Sequence, residues 1–299
     1  MAGRRLIECV PNFSEGRDPA KFAAIRDAID GTHGVALLGA EMDPDHNRSV
    51  MTFAGEPEPV WEAAYRAIAS AHAVIDMRSH SGVHPRIGAA DVVPFVPVQG
   101  VTLEECGALA HRLGKRVWEE LQIPVYFYEA AARHPDRRPL ENVRRGGYRN
   151  PALAPDLGAL PLHPSAGGCI IGARKFLIAF NMNLSTADVR IAQGIARKIR
   201  ASSGGLRNVK AIGVFLESRN LAQVSINITD FEQTPLYEVG DRVRAEAAAL
   251  GVTVAGSQII GLVPKKAMEQ VAAHYLQVEN FHSETILENR LFTRIPSGS

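Results

Sequence analysis

The chain has 299 residues, of which 46% are hydrophobic and 22% charged, a composition typical of globular proteins with room for two domains. Its 33 basic and 32 acidic residues give a net charge of +1, which argues against binding nucleic acid through general basic charge. No apolar run approaches the roughly 20 residues of a membrane helix. The N-terminus shows no signal peptide, and the three cysteines lie far apart. We therefore expect a cytoplasmic protein without a nucleic-acid or membrane partner.

The first half of the chain predicts the order strand, helix, strand, strand, helix, strand. These elements fall at residues 6–10, 21–29, 35–40, 49–54, 57–74 and 92–98, with a turn and helix cap at 11–14. Two prolines in the last strand suggest a sheet edge or a strand end. A capping box beginning at Thr102 predicts a helix to about residue 121, followed by a strand at 124–128. Residues 134–171 are irregular, with at most one short helix at 137–143.

The second half repeats this order. Strands are predicted at 176–184, 209–216, 221–228 and 252–262, and helices at 189–200, 235–250 and 265–275. Residues 172–175 are expected to lead into the first of these strands. The order βαββαβ in each half is typical of ferredoxin-like folds. The sequence therefore predicts an α+β protein with duplicated architecture.

Three side chains suited to chemistry stand close together at His80, His84 and Arg86. Glycine and proline residues interrupt this segment, so it is expected to form a shaped loop rather than a helix or strand. Imidazoles transfer protons efficiently near neutral pH, which makes the loop a candidate active site. The alternative for His84 is a solvent-facing loop residue.

A metal-dependent hydrolase is one rival interpretation of this loop. His80 and His84 have the spacing of a His-x-x-x-His pair, and Asp43, Asp45 and His46 are candidate additional ligands. Such a pair binds metal best on one helical face, which the intervening glycine and proline disfavour. An RNA-recognition module is a second rival, because it shares the ferredoxin-like fold. Aromatic residues make up only 6% of the chain, too few to favour base stacking on a sheet.

Longer motifs occur in a characteristic order along the chain. They are Glu-Cys-Val-Pro-Asn-Phe-Ser-Glu-Gly at 8–16, Asn-Arg at 47–48, Ile-Asp-Met at 75–77, His-Pro-Arg at 84–86, Asp91, Pro-Val-Tyr at 124–126, Gly-Ala-Arg-Lys-Phe-Leu-Ile-Ala-Phe-Asn at 172–181, Asn-Leu-Ala-Gln-Val-Ser at 220–225 and Gly-Ser-Gln at 256–258. With these motifs the chain resembles the glutamate formiminotransferase family, folate-dependent enzymes of histidine degradation. The resemblance extends from about residue 5 to about residue 275.

The resemblance implies an α+β fold of two ferredoxin-like (βαββαβ) subdomains, residues 1–174 and 175–299, with a substrate groove between them and assembly into a homodimer. It implies transfer of the formimino group from N-formimino-L-glutamate to tetrahydrofolate, giving 5-formiminotetrahydrofolate and L-glutamate. Tetrahydrofolate is then a co-substrate, and no metal is expected. Formyl transfer between 5-formyltetrahydrofolate and glutamate is the alternative within the same site.

By the same resemblance, His84 is the general acid and base. The carboxylate that orients it corresponds to Glu41 or Asp43. Animal members of the family have an aspartate where Glu41 stands, so the identity of this carboxylate stays open. For Asp45, capping of the turn at 43–47 is the simpler explanation.

Substrate-binding residues follow from the resemblance and from residue chemistry. They are Asn12, Arg48, His80, Arg86, Gly158, Pro164, Ser165, Gly167, Arg174, Lys175, Asn181, Asn183 and Asn227. The arginines and the lysine are suited to substrate carboxylates, with surface ion pairs or strand-edge charge as the alternatives. The segment 158–167 matches the family's folate-contacting loop.

Alternation of side chains predicts a polar sheet face in the second half. Asn181 and Asn183 alternate with Phe180 and Met182, so they share one face of their strand. A ligand groove explains this face better than a core does, and Asn227 is expected to contribute from a later strand. Asn12 lines the groove or merely forms a turn, and His80 lines the site or only shapes its loop.

Overall fold

The structure, a computed structural model, describes residues 4–44, 47–81 and 86–294. The chain divides into two compact units, Met1–Lys175 and Phe176–Ser299. Each unit has its own hydrophobic core. None of the helices in the described ranges is both long and apolar enough to span a bilayer.

The first unit contains one mixed sheet, with its three long helices packed on one face and a smaller hydrophobic cluster on the other. Its elements are β1 (Leu6–Cys9), β2 (Asn12–Phe13), α1 (Pro19–Asp30), β3 (Val35–Asp43), β4 (Arg48–Gly55), α2 (Pro57–Val74), β5 (Ala90–Gln99), α3 (Leu103–Leu121), β6 (Val125–Glu129), α4 (Leu140–Val143) and β7 (Cys169–Ala173). β1 and β2 both pair with β4 and β5, so together they fill one position in the sheet. β3 extends the sheet beyond β4, while β7 and then β6 extend it beyond β5 in parallel.

The second unit contains β8 (Ile178–Leu184), α5 (Val189–Ile199), β9 (Val209–Leu216), β10 (Leu221–Ile228), α6 (Leu236–Ala248), β11 (Val254–Ile260), α7 (Lys265–Leu276) and α8 (Leu287–Arg294). Its four strands form an antiparallel sheet in the order β11-β8-β10-β9. Alternate side chains of β8 and β10 enter the core with α5 and α6. The opposite faces of these two strands are polar.

Local sequence signals explain several boundaries. The Thr102 hydroxyl accepts from the Glu105 amide at 3.1 Å, and the Glu105 carboxylate accepts from the Thr102 amide at 2.7 Å, which confirms the predicted capping box of α3. At α1, by contrast, Asp18 is the cap, accepting from the Ala20 and Lys21 amides. The predicted helix cap at 11–14 was therefore wrong, because part of that segment pairs as β2.

Two further expectations about strands were wrong. β5 lies between β1 and β7 rather than at an edge, and its Pro94 stands opposite the break between β1 and β2, where the ladder is already interrupted. Gly172 belongs to β7 in the sheet of the first unit, so residues 172–175 do not lead directly into the next sheet. Parallel pairing with two distant strands holds β7, and nothing local in the sequence signals it.

Candidate functional site

Asn47 joins three segments of the first unit. Its side-chain Oδ1 accepts from the Gly16 amide at 3.0 Å, and its Nδ2 donates to the Ser81 carbonyl at 3.0 Å. Its main-chain oxygen accepts from Arg86 Nη1 at 2.6 Å and lies 3.2 Å from His80 Nε2. Because a carbonyl only accepts, Nε2 of His80 carries the hydrogen in this contact. One residue thus holds both flanks of the segment that bears the predicted catalytic histidine.

His84 itself lies outside the described residues, as do Asp45 and His46 of the metal hypothesis. Among the residues that are described, no three His, Cys, Asp or Glu side chains are grouped so as to hold a metal ion. The predicted role of His84 therefore stays a prediction.

The backbone around Asn47 depends on two unusual positions. Asn47 has a φ of 47°, in the left-handed region that asparagine adopts more readily than most residues. A β-carbon at Gly16 would lie 2.3 Å from the Asp43 carbonyl and 2.4 Å from the Arg48 amide. Only glycine allows this close approach, which brings the turn before α1 against the β3–β4 connection.

A cluster of guanidinium groups surrounds Asp91. The Asp91 carboxylate accepts from Arg144 Nη2 at 2.5 Å and from the Ile87 amide at 2.8 Å, and it is almost fully buried. Burial and the neighbouring Arg144 charge lower the pKa of Arg48, while Asp91 and Asp43 raise it. The Arg48 guanidinium makes no hydrogen bond or ion pair with another described residue.

The same cluster includes Arg86. Burial lowers the pKa of the Arg86 guanidinium, Asp91 raises it, and Arg48 and Arg144 lower it further. The structure therefore brings together Arg48 and Arg86, both predicted to bind carboxylates. It adds Arg144 and Asp91, which were not among the predicted site residues. Asp91 stands alone in the family motifs, and Arg144 lies in the irregular segment, so neither had a local signal for this pairing.

The candidate orienting carboxylates lie in a strand rather than in a turn. β3 continues to Asp43, which pairs in register with Arg48, and Glu41 pairs with Val50. Residues two apart share one strand face, so both carboxylates lie on the same side of β3. Both raise the pKa of Arg48. The structure thus brings them close to the arginine, and their relation to His84 is outside the described residues.

A cavity of about 430 Å³ opens beside Asn47. It is lined by Ser14, Glu15, Arg17, Asp18, Pro19, Lys21, Asn47, Ile75, Asp76, Ser79 and His80. Burial lowers the pKa of His80, and the hydrogen bond to the Asn47 carbonyl only partly offsets this. Burial raises the pKa of Glu15, but bonds from two backbone amides and the nearby Lys21 outweigh that effect and lower it. An imidazole and a carboxyl group, each with a lowered pKa, therefore share the wall of this cavity.

The predicted folate-contacting loop divides between two places. Gly158 has a φ of +90°, and a β-carbon there would lie 2.8 Å from the Trp118 ring, so this end packs on α3. At the other end, the Gly168 amide donates to the Ile87 carbonyl at 3.0 Å. A β-carbon on the preceding Gly167 would collide with that same carbonyl.

The middle of this loop is held by main-chain contacts. The Pro164 carbonyl accepts from the Tyr148 hydroxyl, and the Ser165 carbonyl accepts from the Met77 amide. Ser165 and Gly167 thus lie against residues that flank the histidine segment, Met77 before it and Ile87 after it, whereas Pro164 contacts Tyr148. His163 is half-buried, and its ring lies edge-on to His72 with centroids 4.9 Å apart.

Three other predicted residues lie on the sheet of the first unit or just after it. Asn12 is in β2, and its Nδ2 donates to the Val10 carbonyl at 3.2 Å. Arg174 follows β7, where its amide donates to the Phe95 carbonyl and its guanidinium donates to the Lys175 carbonyl, each at 3.0 Å. Lys175 is exposed.

The polar sheet face of the second unit is present. Asn183 pairs with Gln223, and Asn181 pairs with Ser225. Gln223 Nε2 donates to Asn183 Oδ1 at 2.8 Å, and the two residues are 5% and 1% exposed. Asn227 is on the same face of β10, one step further along.

Other polar residues on this face were not predicted. They are Gln223, Ser225 and Gln258. The alternation Gln-Val-Ser-Ile-Asn in β10 is a signal that could have identified the first two.

Comparison with known proteins agrees with the motifs. Residues 6–174 match the formiminotransferase domain, N-terminal subdomain, and residues 179–294 match the formiminotransferase domain. A glutamate formimidoyltransferase of Thermoplasma acidophilum is 47% identical, with 96% of this chain and 97% of the relative covered. Another glutamate formimidoyltransferase, from Streptococcus pyogenes, is 43% identical, with 96% of this chain and 99% of the relative covered. The formimidoyltransferase-cyclodeaminase of Rattus norvegicus is 45% identical over 96% of this chain but only 56% of its own length. With nearly the whole described chain matched, the protein belongs to the formiminotransferase family.

Proposed function

We propose that the protein transfers the formimino group from N-formimino-L-glutamate to tetrahydrofolate, giving 5-formiminotetrahydrofolate and L-glutamate. The observation that carries this function is 43–47% identity to two glutamate formimidoyltransferases across nearly their whole length. The protein is accordingly a one-carbon transferase with tetrahydrofolate as co-substrate.

The chemistry needs one group that moves protons. The attacking amine of tetrahydrofolate adds to the amidine carbon and loses a proton, and the glutamate nitrogen gains a proton as the tetrahedral intermediate collapses. One imidazole performs both transfers, which contributes a factor of about 10² to 10⁴ in rate. We assign this role to His84, with Glu41 or Asp43 as the orienting carboxylate. The reaction involves no redox step and needs no metal.

Positive charge supports the assignment of carboxylate binding to Arg48 and Arg86. Both guanidinium groups are largely buried beside Asp91 and Arg144, where a substrate carboxylate would offset their mutual repulsion. Each substrate contains glutamate, so either one brings the required anion. The ring N–H of His80 already donates a hydrogen bond to the Asn47 carbonyl. We therefore assign His80 the role of shaping the site.

Folate binding is assigned to the remaining predicted residues. Amide side chains both donate and accept, which matches the alternating donors and acceptors of a pterin ring. Asn181, Asn183 and Asn227 provide this on the polar face of the second unit, and Arg174 and Lys175 suit the carboxylate tail. The loop residues Gly158, Pro164, Ser165 and Gly167, together with Asn12, complete the proposed contacts.

We also propose the finer architecture that the family implies. Both units contain the order βαββαβ, which supports two ferredoxin-like subdomains, divided between residues 174 and 175. A folate groove between them is proposed from the family alone. The assembly is a homodimer in the cytoplasm, with small-molecule substrates and neither nucleic acid nor membrane as partner.

The direct test is consumption of N-formimino-L-glutamate by the purified protein, with and without tetrahydrofolate and with a chelator. We expect glutamate release that requires tetrahydrofolate and is unaffected by chelation. Folate binding without turnover would point to a different donor. Turnover abolished by the chelator would favour the metal hypothesis.

A substitution tests the role of His84. His84→Ala should lower turnover by about 10² to 10⁴ and leave folate binding nearly unchanged, because it removes proton transfer and no binding group. Turnover and the folate dissociation constant are measured on the same preparation. His33→Ala, at an exposed position of the first unit, is the matched control and should keep wild-type turnover. Wild-type turnover of His84→Ala would remove this residue from the mechanism.

A further inference from the structure

Glu8 is a buried carboxylate in the middle of the sheet of the first unit. It lies in β1, between Ala54 of β4 and Val96 of β5. Its neighbours Ile7 and Cys9 face the helix-packed core, so Glu8 projects from the opposite face. Only 8% of the residue is exposed, and its carboxylate makes no hydrogen bond or ion pair with any described residue.

Burial of this carboxylate without a hydrogen-bond partner costs free energy of folding, and other buried glutamates have partners. Burial raises the pKa of Glu8, and the charge of Arg174 only partly opposes this. The carboxylate of Glu269, in a residue equally 8% exposed, accepts from Ser283 and Asn289 at 2.9 and 3.0 Å. Glu15 accepts from two backbone amides. A buried charge without partners lowers stability unless something else binds it.

The chemistry of a carboxylate defines what would bind it. Two oxygens accept two parallel N–H bonds, which fits an N–C–N edge with both hydrogens on one side. Both substrates of the proposed reaction have such an edge. In one it is the formimino amidine, and in the other it is the 2-amino-4-oxopyrimidine edge of the pterin. The aliphatic neighbours Ala54 and Val96 would strengthen the bonds by excluding water.

We propose that the Glu8 carboxylate is a substrate-binding group that accepts two N–H bonds from an amidine-type edge. This inference rests on the proposed function, and it adds a residue to the site described above. Since the two sources of the edge share their chemistry, the test is designed to tell them apart.

The test compares Glu8→Gln with wild-type protein in two binding measurements. One is the dissociation constant of 5-formyltetrahydrofolate, which keeps the pterin edge, by calorimetry. The other is the KM for N-formimino-L-glutamate at saturating tetrahydrofolate. Loss of a charge-assisted pair should raise one of these constants by about 10- to 100-fold. A raised dissociation constant identifies the pterin, and a raised KM identifies the formimino group. Wild-type values for both would overturn the proposal.

Stability separates a binding role from a structural one. Glu8→Gln removes an unpaired buried charge, so its urea midpoint should equal or exceed that of the wild type. Glu269→Gln breaks existing hydrogen bonds, so its midpoint should fall while both ligand constants stay unchanged. A lowered midpoint for Glu8→Gln would contradict the proposal. If the wild-type protein is active and Glu8→Gln has wild-type ligand constants, this inference alone is refuted. If the wild-type protein is inactive, the proposed function is refuted and this inference with it.

Discussion

At the scale of single residues, Asn47 shows how one side chain can organise a site. Its side-chain oxygen accepts a hydrogen bond from the Gly16 turn, and its side-chain nitrogen donates one to the histidine segment. Its main-chain carbonyl accepts a hydrogen bond from Arg86. The left-handed φ of 47° allows these groups to point in different directions. The site therefore depends on a residue that holds its segments together.

Substitution of Asn47 should separate the backbone effect from the hydrogen bonds. Asn47→Ala loses both side-chain bonds and replaces asparagine, which tolerates the left-handed region, by a residue that tolerates it less well, so it should lower the free energy of unfolding by about 2–4 kcal/mol. Asn47→Gly keeps the backbone conformation and should lose about 1–2 kcal/mol less than Asn47→Ala. Urea denaturation measures both values. Asn220→Ala, at an exposed left-handed position with φ 50°, is the control and should lose only the backbone contribution. Equal losses for the two Asn47 variants would contradict the argument.

At the scale of elements, what the sequence could predict depends on how far apart the interacting residues lie. The capping box of α3 and the alternation of Asn181 and Asn183 are local patterns, and both were predicted. β7 was missed because its pairing with β5 and β6 is entirely long-range. For the same reason, neither the ion pair of Arg144 with Asp91 nor the pairing of Gln223 with Asn183 could be predicted. A local pattern shows which side chains share one face of a strand. Only the register between paired strands determines which residue of the next strand lies beside them.

Two helical glycines give a prediction about helix packing. A β-carbon at Gly114 of α3 would lie 2.6 Å from the buried Phe127 ring of β6, whereas at Gly194 of α5 it would meet nothing within 4 Å. Alanine is favoured over glycine in helices by about 1 kcal/mol, and overpacking costs about 1–3 kcal/mol. Gly194→Ala should therefore raise the free energy of unfolding by up to about 1 kcal/mol. Gly114→Ala should lower it, and the two changes are measured by urea denaturation. Stabilisation by Gly114→Ala would mean that Phe127 can move aside.

At the scale of the whole molecule, three histidines with a lowered pKa and both tryptophans lie in the same unit. Burial lowers the pKa of His80, His111 and His163, all of which belong to the first unit. Both tryptophans, Trp61 and Trp118, also lie in that unit. Tryptophan fluorescence therefore reports on the unit that contains these three histidines.

The first unit should lose stability as the pH falls from about 7.5 toward 5.5. A histidine whose pKa is lowered by folding binds its proton more weakly in the folded state than in the unfolded state, where the pKa is about 6.5. The unfolded state therefore binds more protons over this range, and the free energy of unfolding decreases with falling pH. The urea midpoint followed by tryptophan fluorescence should shift down accordingly. Comparison with a variant carrying His80→Gln, His111→Gln and His163→Gln isolates the histidine contribution, because any carboxylate effect, including the opposing one of Glu8, is common to both proteins. The variant should show a clearly smaller shift over this pH range, and an equal shift in both proteins would assign the acid sensitivity to other groups.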